Sequence, residues 1–116
     1  MYARKLRFNL RSNSAAEFRL LLKQKIVPLL RAQKGFQHEL TLSTSDRNET
    51  VAISFWDNQE NADAYNHVAY LDVLRALSNV IEAVPFVENF DIVNATSGPF
   101  LGTISLKLQE SQSLND

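Results

Sequence analysis

The sequence predicts an α+β domain in which an antiparallel sheet carries two helices on one face. Four segments alternate with the period of two that is typical of strands, at residues 2–10, 37–43, 50–56 and 86–94. The two segments between them repeat apolar residues at steps of three and four, as amphipathic helices do. The resulting order is βαββαβ, which is the order of the ferredoxin-like split unit.

The composition limits the classes of partner. At 116 residues the chain has the length of one domain. Its 12 Lys and Arg residues and 13 Asp and Glu residues give a net charge of −1, which attracts neither nucleic acid nor an anionic membrane. It contains no cysteine, and no apolar run approaches the roughly 20 residues of a membrane helix. We therefore expect a cytoplasmic protein that binds no nucleic acid and no membrane.

The first strand and the first helix have clear end signals. The apolar residues of the strand alternate as Tyr2, Leu6, Phe8 and Leu10. Ser14 and Glu17 have the spacing of a capping box, which predicts a helix start. Pro28 lacks an amide hydrogen and clashes with the preceding turn, so the helix should bend near Ile26. Gly35 suits a left-handed cap after the helix end.

The remaining elements follow in the same way. Residues 44–49 are polar and have the length of a hairpin connection between strands two and three. Asp57 and Glu60 predict a second capped helix, which could consist of two pieces because its periodicity breaks near residues 67–70. Pro85 ends that helix before strand four.

Strand three is apolar on both of its faces. Val51, Ile53 and Phe55 point to one side, and the alternate residues Ala52, Ser54 and Trp56 point to the other. Two helices on one face of the sheet leave its second face uncovered. We therefore expect a second copy of the chain to cover that face, which makes the protein a homodimer.

Strand one also carries a polar face. It consists of Lys5, Arg7 and Asn9. Partners for these groups could come from strand two or strand four, through Glu39, or Glu88 and Asp91. One interpretation is a charged network across the dimer, and the other is a site that recognises an anion.

The C-terminal part differs in composition from the rest. We predict a domain over residues 1–95 and a C-terminal extension over residues 96–116. Residues 103–108 alternate and predict a short extra strand, which could join its own sheet or that of the partner. The polar residues after it are predicted to be a disordered tail.

The join between strand three and helix two predicts a pocket. The small residues Ala52 and Ser54 precede the single Trp56 on the same strand face, which leaves room between sheet and helices. The predicted lining residues are Leu6, Phe8, Ala52, Ser54, Trp56, Tyr65 and Tyr70. The alternative is an ordinary core, in which Trp56 donates its indole hydrogen to a backbone carbonyl and the two tyrosines only pack.

His38 is a second candidate for chemistry. It shares its strand face with Leu40 and Leu42, an apolar environment that lowers the pKa of an imidazole and suits it as a base. The alternative is a structural residue in the core or the dimer interface. With two histidines and no cysteine, we predict no metal site.

The assembled pattern resembles the antibiotic biosynthesis monooxygenase (ABM) domain family of the dimeric α+β barrel superfamily. Three segments carry the resemblance over residues 2–93: LLRAQKGFQHEL, SFWDNQENADAY and PFVENFDIV. The resemblance implies that two subunits pair through the sheet faces that lie away from their helices, and that these faces close into a barrel.

The resemblance also implies where chemistry would take place. In cofactor-independent, quinone-forming members, the pocket uses an Asn on strand three, a Trp at its end and a Tyr early in the next helix. Trp56 stands at the Trp position, whereas Ala52 and Ala62 occupy the other two. Tyr65, one helical turn further on, could supply the missing hydroxyl. The histidine that ligates iron in haem-degrading relatives corresponds to Arg75, so we expect no haem and no other cofactor.

Two functions remain open from the sequence. The first is a small, cofactor-independent oxygenase that acts on an aromatic or apolar metabolite, with Tyr65 or His38 as the catalytic group. The second is a non-catalytic dimeric module that binds a small apolar ligand or has a structural role, because the family's polar residues are missing.

Overall fold

The computed structural model describes residues 1–46 and 48–96, and its α+β architecture confirms the predicted fold class. The strands are β1 (Tyr2–Asn9), β2 (Phe36–Ser43), β3 (Glu49–Trp56) and β4 (Phe86–Asp91). The first helical segment runs from α1 (Ala15–Leu21) through a π-helical turn (Leu22–Ile26) into α2 (Val27–Arg31), and the second consists of α3 (Gln59–Val68) and α4 (Tyr70–Leu77). The predicted strand at residues 103–108 and the predicted disordered tail lie outside the described residues. The domain boundary after residue 95 stays a prediction.

The four strands form one antiparallel sheet in the order β2-β3-β1-β4. This order is the ferredoxin-like arrangement, with β1 and β3 in the centre. The sheet is open within the chain and does not close into a barrel. A core between the sheet and the helices contains Leu6 and Phe8 of β1, Trp56 of β3, Phe18 of α1 and Val73 of α4.

The irregularity predicted at Pro28 takes the form of the π-helical turn just before it. Proline cannot donate the usual hydrogen bond to the carbonyl four residues earlier, and its ring crowds that carbonyl. A turn with bonds to the fifth residue relieves this conflict locally. Gly35, after the end of α2, has a φ of 84°, which confirms the predicted left-handed conformation.

The first predicted helix start is confirmed but lacks its capping box, and the second start is shifted by one residue. Ser14 stands at the first N-cap, but its hydroxyl donates to the carbonyl of Ser12 at 3.5 Å and caps no helix amide. The second N-cap is Asn58, one residue later than predicted, and its Oδ1 accepts from the amide of Asn61 at 2.9 Å. The Asp57 carboxylate instead accepts from the side-chain amide of Asn61 at 2.8 Å. The Asp57–Glu60 box was therefore wrong by one residue.

The division of the second helix into two pieces is confirmed. Ala69 separates α3 from α4 with a φ of −109°, and its amide donates to the carbonyl of Tyr65 at 2.9 Å. The next helix then begins with a hydrogen bond from the amide of Asp72 to the carbonyl of Ala69 at 3.0 Å. Among the described residues, no helix has both the length and the apolar character needed to cross a membrane.

The sheet face away from the helices, which we call the open face, carries both apolar and charged groups. Lys5 forms an ion pair with Glu88 at 3.9 Å, so β4 supplies one of the predicted partners. The guanidinium of Arg7 lies 5.1 Å from the ring centroid of Phe86. Glu39 does not belong to this face, because it pairs with Ser54, whose side chain points toward the helices.

Candidate functional site

A small cavity lies between the sheet and the helices, and the centre of a water-sized sphere can occupy about 40 Å³ of it. Its wall comes from β1, β2 and β3 on the sheet side and from α1, the π-helical turn, α2, α3 and α4 on the helix side. The apolar part of the wall includes Leu6, Phe8, Phe18, Leu22, Ile26, Leu30, Ala52, Val73 and Leu77. The polar part consists of Arg4, Glu39, Ser54 and Tyr65.

Two local features make this space. Ala52 and Ser54 have short side chains in the middle of β3, so the sheet leaves room where longer residues would fill it. On the other side, Leu22 and Ile26 are the first and last residues of the π-helical turn, and both line the cavity. The wall is therefore shaped by the irregular turn that Pro28 imposes on the helix.

Trp56 is completely buried, in contact with aromatic rings on two sides. Its ring stacks on Tyr65 with centroids 4.9 Å apart and meets Phe36 edge-on at 5.6 Å. The indole Nε1 donates to the hydroxyl of Ser54 at 2.9 Å rather than to a backbone carbonyl. Trp56 is therefore not a lining residue but packs behind two residues that are, Tyr65 and Ser54.

Tyr65 is the hydroxyl-bearing residue of α3 in the cavity wall, and it is only 4% exposed. Burial raises the pKa of Tyr65 strongly, and the positive charge of Arg4 opposes this shift only in part. At neutral pH the phenol therefore keeps its proton. Tyr65 can donate a proton or a hydrogen bond, but it is a poor base.

Tyr70 begins α4 behind Tyr65, with ring centroids 6.1 Å apart. Burial raises the pKa of Tyr70, while the charge of Arg4 lowers it. Its buried hydroxyl lies beside the Arg4 guanidinium, which also lowers that pKa through a hydrogen-bond contact, but this contact does not have normal hydrogen-bond geometry. Five of the seven predicted pocket residues thus lie in the cavity wall, and Trp56 and Tyr70 stand behind Tyr65. Their role in a ligand pocket stays a prediction.

Arg4 is a wall residue that the sequence reasoning missed. It alternates with Tyr2 and Leu6 on β1, and its whole residue is only 5% exposed. Its guanidinium carbon lies 4.3 Å from the ring centroid of Tyr70 and 5.8 Å from that of Tyr65. The available signal was its position, because strand parity alone puts residue 4 on the same face as the apolar residues 2, 6 and 8.

Glu39 is a second wall residue that the sequence reasoning did not assign to the cavity, because it was expected to be a partner for the polar face of strand one. The register pairs Glu39 with Ser54 and Ser54 with Arg4, so the three side chains form one row across the helix-facing side of the sheet. Burial raises the pKa of the half-buried Glu39 carboxyl, and a hydrogen bond from the Thr41 hydroxyl opposes that shift. The site therefore contains a carboxyl whose pKa lies above its ordinary value.

His38 lies elsewhere. It pairs with Phe55, after a register shift between Phe36 and His38, and so it stands on the open face. It is not among the residues that line the cavity with Tyr65. The two candidate catalytic residues are thus on opposite sides of the sheet.

The described residues offer little for a metal or haem. Across residues 1–46 and 48–96, no three His, Asp or Glu side chains come together as a possible metal site. Arg75, at the position that corresponds to the iron ligand of haem-degrading relatives, forms an exposed ion pair with Asp72 at 3.6 Å. A guanidinium in that environment does not fit as an iron ligand.

Fold and cavity define a class of small ferredoxin-like domains with a site between sheet and helices. The sequence model of the family described as "Antibiotic biosynthesis monooxygenase" matches residues 1–76, which is more than half of the chain. The chain therefore belongs to the antibiotic biosynthesis monooxygenase family. No curated protein matches the sequence.

Solved structures support the same fold. SnoaB, a cofactor-independent oxygenase from Streptomyces nogalater, is 18% identical with a TM-score of 0.69, and the match covers 84% of this chain and 97% of SnoaB. Rv0793 from Mycobacterium tuberculosis is 21% identical with a TM-score of 0.66, over 83% of this chain and 98% of Rv0793. NE2512 from Nitrosomonas europaea, a protein of unknown function, is 15% identical with a TM-score of 0.68, over 84% and 93% of the two chains.

Proposed function

We propose that the cavity binds an aromatic or apolar metabolite and promotes its reaction with molecular oxygen without a cofactor. Family membership supports an oxygenase, and SnoaB is an example of a structural relative that works without a cofactor. The observation that carries the proposal is the cavity itself, because an apolar wall there is interrupted by the ionisable residues Glu39 and Tyr65. Such a wall can orient a planar molecule and act on one of its protons.

The substrate would supply the electrons. Loss of a proton from an electron-rich phenol or quinol gives a carbanion-like species that can reduce oxygen directly. One oxygen atom then enters the product at a ring carbon in place of its hydrogen, the hydroxyl hydrogen is also lost so that a quinone forms, and the other oxygen atom leaves as water with these two hydrogens. The protein has to provide desolvation, orientation and proton transfer, and no external reductant is needed.

Glu39 is our candidate for the base in this reaction. A carboxyl with a raised pKa is a better proton acceptor than an ordinary one when it is ionised, and Glu39 faces the cavity. Tyr65, which keeps its proton, would donate to the reduced oxygen or hold the substrate. His38 remains a second candidate only if an open-face site is formed in the assembly.

Oxygen consumption tests the proposal. Purified protein is incubated with a panel of phenols and naphthoquinols, and oxygen uptake is compared with the buffer rate. We expect uptake with at least one planar substrate and a drop of about a hundredfold for Glu39→Gln, within the usual range of general base catalysis. Glu60→Gln removes an exposed carboxylate at the start of α3, away from the cavity and the open face, and serves as the control. An uptake no faster than the buffer rate across the whole panel would refute the oxygenase.

A non-catalytic ligand-binding module is the second candidate function. Phe36 and Tyr65 both pack against the ring of Trp56, so this ring is not accessible to a ligand. Ala52 and Ala62 leave no amide or phenol at the other two family positions. Ligand binding without oxygen uptake would support this module in place of the oxygenase.

We further propose that two copies of the chain pair through the open face. Leu40 and Leu42 of β2, and Phe86 and Phe90 of β4, are between 36% and 56% exposed there. Large apolar groups on one side of a sheet favour an apolar partner surface. A two-fold pair of identical open faces would bury both sets at once, with the Lys5–Glu88 ion pair between them.

A further inference from the structure

Arg4 has an unusual environment for a guanidinium. Its side chain lies within the helix-facing layer of the sheet, and the residue is only 5% exposed. Two of its nitrogens, Nε and Nη2, are buried and have no hydrogen-bond partner within residues 1–46 and 48–96. Arg4 takes part in neither the Lys5–Glu88 nor the Arg75–Asp72 ion pair.

The rings next to Arg4 compensate for this only in part. Tyr70, at 4.3 Å, and Tyr65, at 5.8 Å, offer their π faces to the positive charge. A π face does not accept the hydrogen bonds that a guanidinium directs outward in its own plane. Buried N–H groups without an acceptor are costly, and a buried charge without a counter-ion is more so.

The acidic residue of the cavity wall, Glu39, forms no ion pair with Arg4. Glu39 lies in the same row of the sheet, separated from Arg4 by Ser54, and makes its hydrogen bond with Thr41. Burial raises the pKa of Glu39, so the neutral carboxyl is favoured more than for an ordinary glutamate. Arg4 thus brings a positive charge to a space whose remaining wall is mostly apolar.

We propose that Arg4 is the anion-binding residue of the cavity, and that the ligand is a small apolar acid with one ionised oxygen group on a planar body. The oxygen group, a carboxylate or an ionised enol, would accept from Nε and Nη2, and the planar body would lie against the apolar wall. Arginine suits this role because its fork of donors matches two oxygen lone pairs. The inference rests on the proposal that the cavity binds a small molecule, but it requires no reaction there.

Calorimetric titration with matched pairs of probes tests the inference. The first pair is 2-naphthoate and 2-acetylnaphthalene, which differ in charge at nearly equal shape. The second is 2-hydroxy-1,4-naphthoquinone, an acidic enol, and the neutral 2-methyl-1,4-naphthoquinone. For the unaltered protein at neutral pH, we expect the acid of at least one pair to bind about tenfold to a hundredfold more tightly than its neutral partner. The pair that shows the preference tells a carboxylate from an enolate.

Two variants assign the preference to a residue. Arg4→Met keeps an apolar side chain of similar length and should abolish the preference while it leaves the affinity for the neutral probe unchanged. It should not lower the melting temperature, because replacing a buried, unpaired charge by an apolar group does not destabilise a fold. Arg7→Met, three residues along the same strand but on the open face, should retain the full preference.

Several results would overturn the inference. These are equal binding of acid and neutral probe, absence of binding by either acid, and a preference that persists in Arg4→Met. If Arg4→Met fails to fold, Arg4→Gln replaces it, and the comparison on the unaltered protein stands without any variant. Acid binding through Arg4 without oxygen uptake would retain the inference and remove the oxygenase. Oxygen uptake that is unchanged in Arg4→Met would retain the oxygenase and remove the inference about Arg4.

Discussion

Tyr65 stacks on Trp56, with ring centroids 4.9 Å apart and an angle of 29° between the ring planes. Trp56 is the last residue of β3 and Tyr65 belongs to α3, so the stack joins the sheet to the helix that follows it. Both residues are almost fully buried, and the contact with Trp56 holds Tyr65 at the cavity wall. The ring of Tyr65 therefore has a structural role, whereas its hydroxyl is available for a chemical one.

Two substitutions at Tyr65 should separate these roles. Tyr65→Phe keeps the stack, so the free energy of unfolding should change by less than about 1 kcal/mol. Tyr65→Ala removes a buried ring and should cost about 3–5 kcal/mol, as measured by chemical denaturation. If the hydroxyl donates a proton in the proposed reaction, Tyr65→Phe should also lower oxygen uptake about a hundredfold. Unchanged uptake in a stable Tyr65→Phe protein would exclude Tyr65 as a catalytic residue.

Gly35 should not tolerate a side chain. Its φ of 84° strains any residue with a Cβ, and an added Cβ would lie 2.3 Å from Oδ1 of Asp57 and 2.7 Å from Cβ of Asn61. We expect Gly35→Ala to reduce the free energy of unfolding by at least about 2 kcal/mol, from strain and crowding together. Lys34→Ala, at the neighbouring exposed position, should stay within about 0.5 kcal/mol of the unaltered protein. Equal denaturation midpoints for the two variants would contradict this prediction.

The secondary structure was predictable because its signals are local. The alternation in residues 2–10 and the position of Gly35 depend only on neighbouring residues, and the structure agrees with both. The cap of α3 shifted by one residue because Asp57 and Asn58 can both accept hydrogen bonds, and the side chain of Asn61 takes up the Asp57 carboxylate. Pro28 predicted an irregular helix, but not that the irregularity would be a π-helical turn.

The site was less predictable because it depends on register between distant segments. Strand parity on β1 was sufficient to find Arg4, since residue 4 alternates with residues 2, 6 and 8. Glu39 could be placed only once β2 was aligned with β3, because the register shift after Phe36 sets the face of each later residue on β2. The same alignment puts His38 beside Phe55 and away from the cavity. The sequence gives no direct measure of that shift.

The raised pKa of Glu39 predicts a dependence of stability on pH. Because burial raises this pKa in the folded state, the folded protein retains the proton in an interval above 4.5 where the unfolded chain has lost it. The contribution of Glu39 to stability is therefore complete at low pH and is lost as pH rises through the folded-state pKa. Glu39→Gln cannot ionise, so its stability relative to the unaltered protein should increase as pH rises from about 4 to about 7.

Denaturation of both proteins across this pH range measures the effect. Glu60→Gln, which removes an exposed carboxylate at the start of α3, controls for the general effect of net charge. Only a slope specific to Glu39→Gln supports the assignment. A difference between Glu39→Gln and the unaltered protein that stays constant with pH, or decreases as pH rises, would show that the carboxyl is not held in its neutral form by burial.

The proposed dimer makes a prediction about the open face. A lysine at Leu40 or at Phe90 would bring a charge into an apolar interface, and two-fold symmetry would introduce it twice. Leu40→Lys and Phe90→Lys should therefore shift the protein toward the monomer, as measured by sedimentation velocity over a range of concentrations. Leu71→Lys is the matched control, because Leu71 is also an exposed leucine, at 54%, but lies on α4. If the unaltered protein sediments as a monomer, or if all three variants behave alike, the open face is not the interface between copies of the chain.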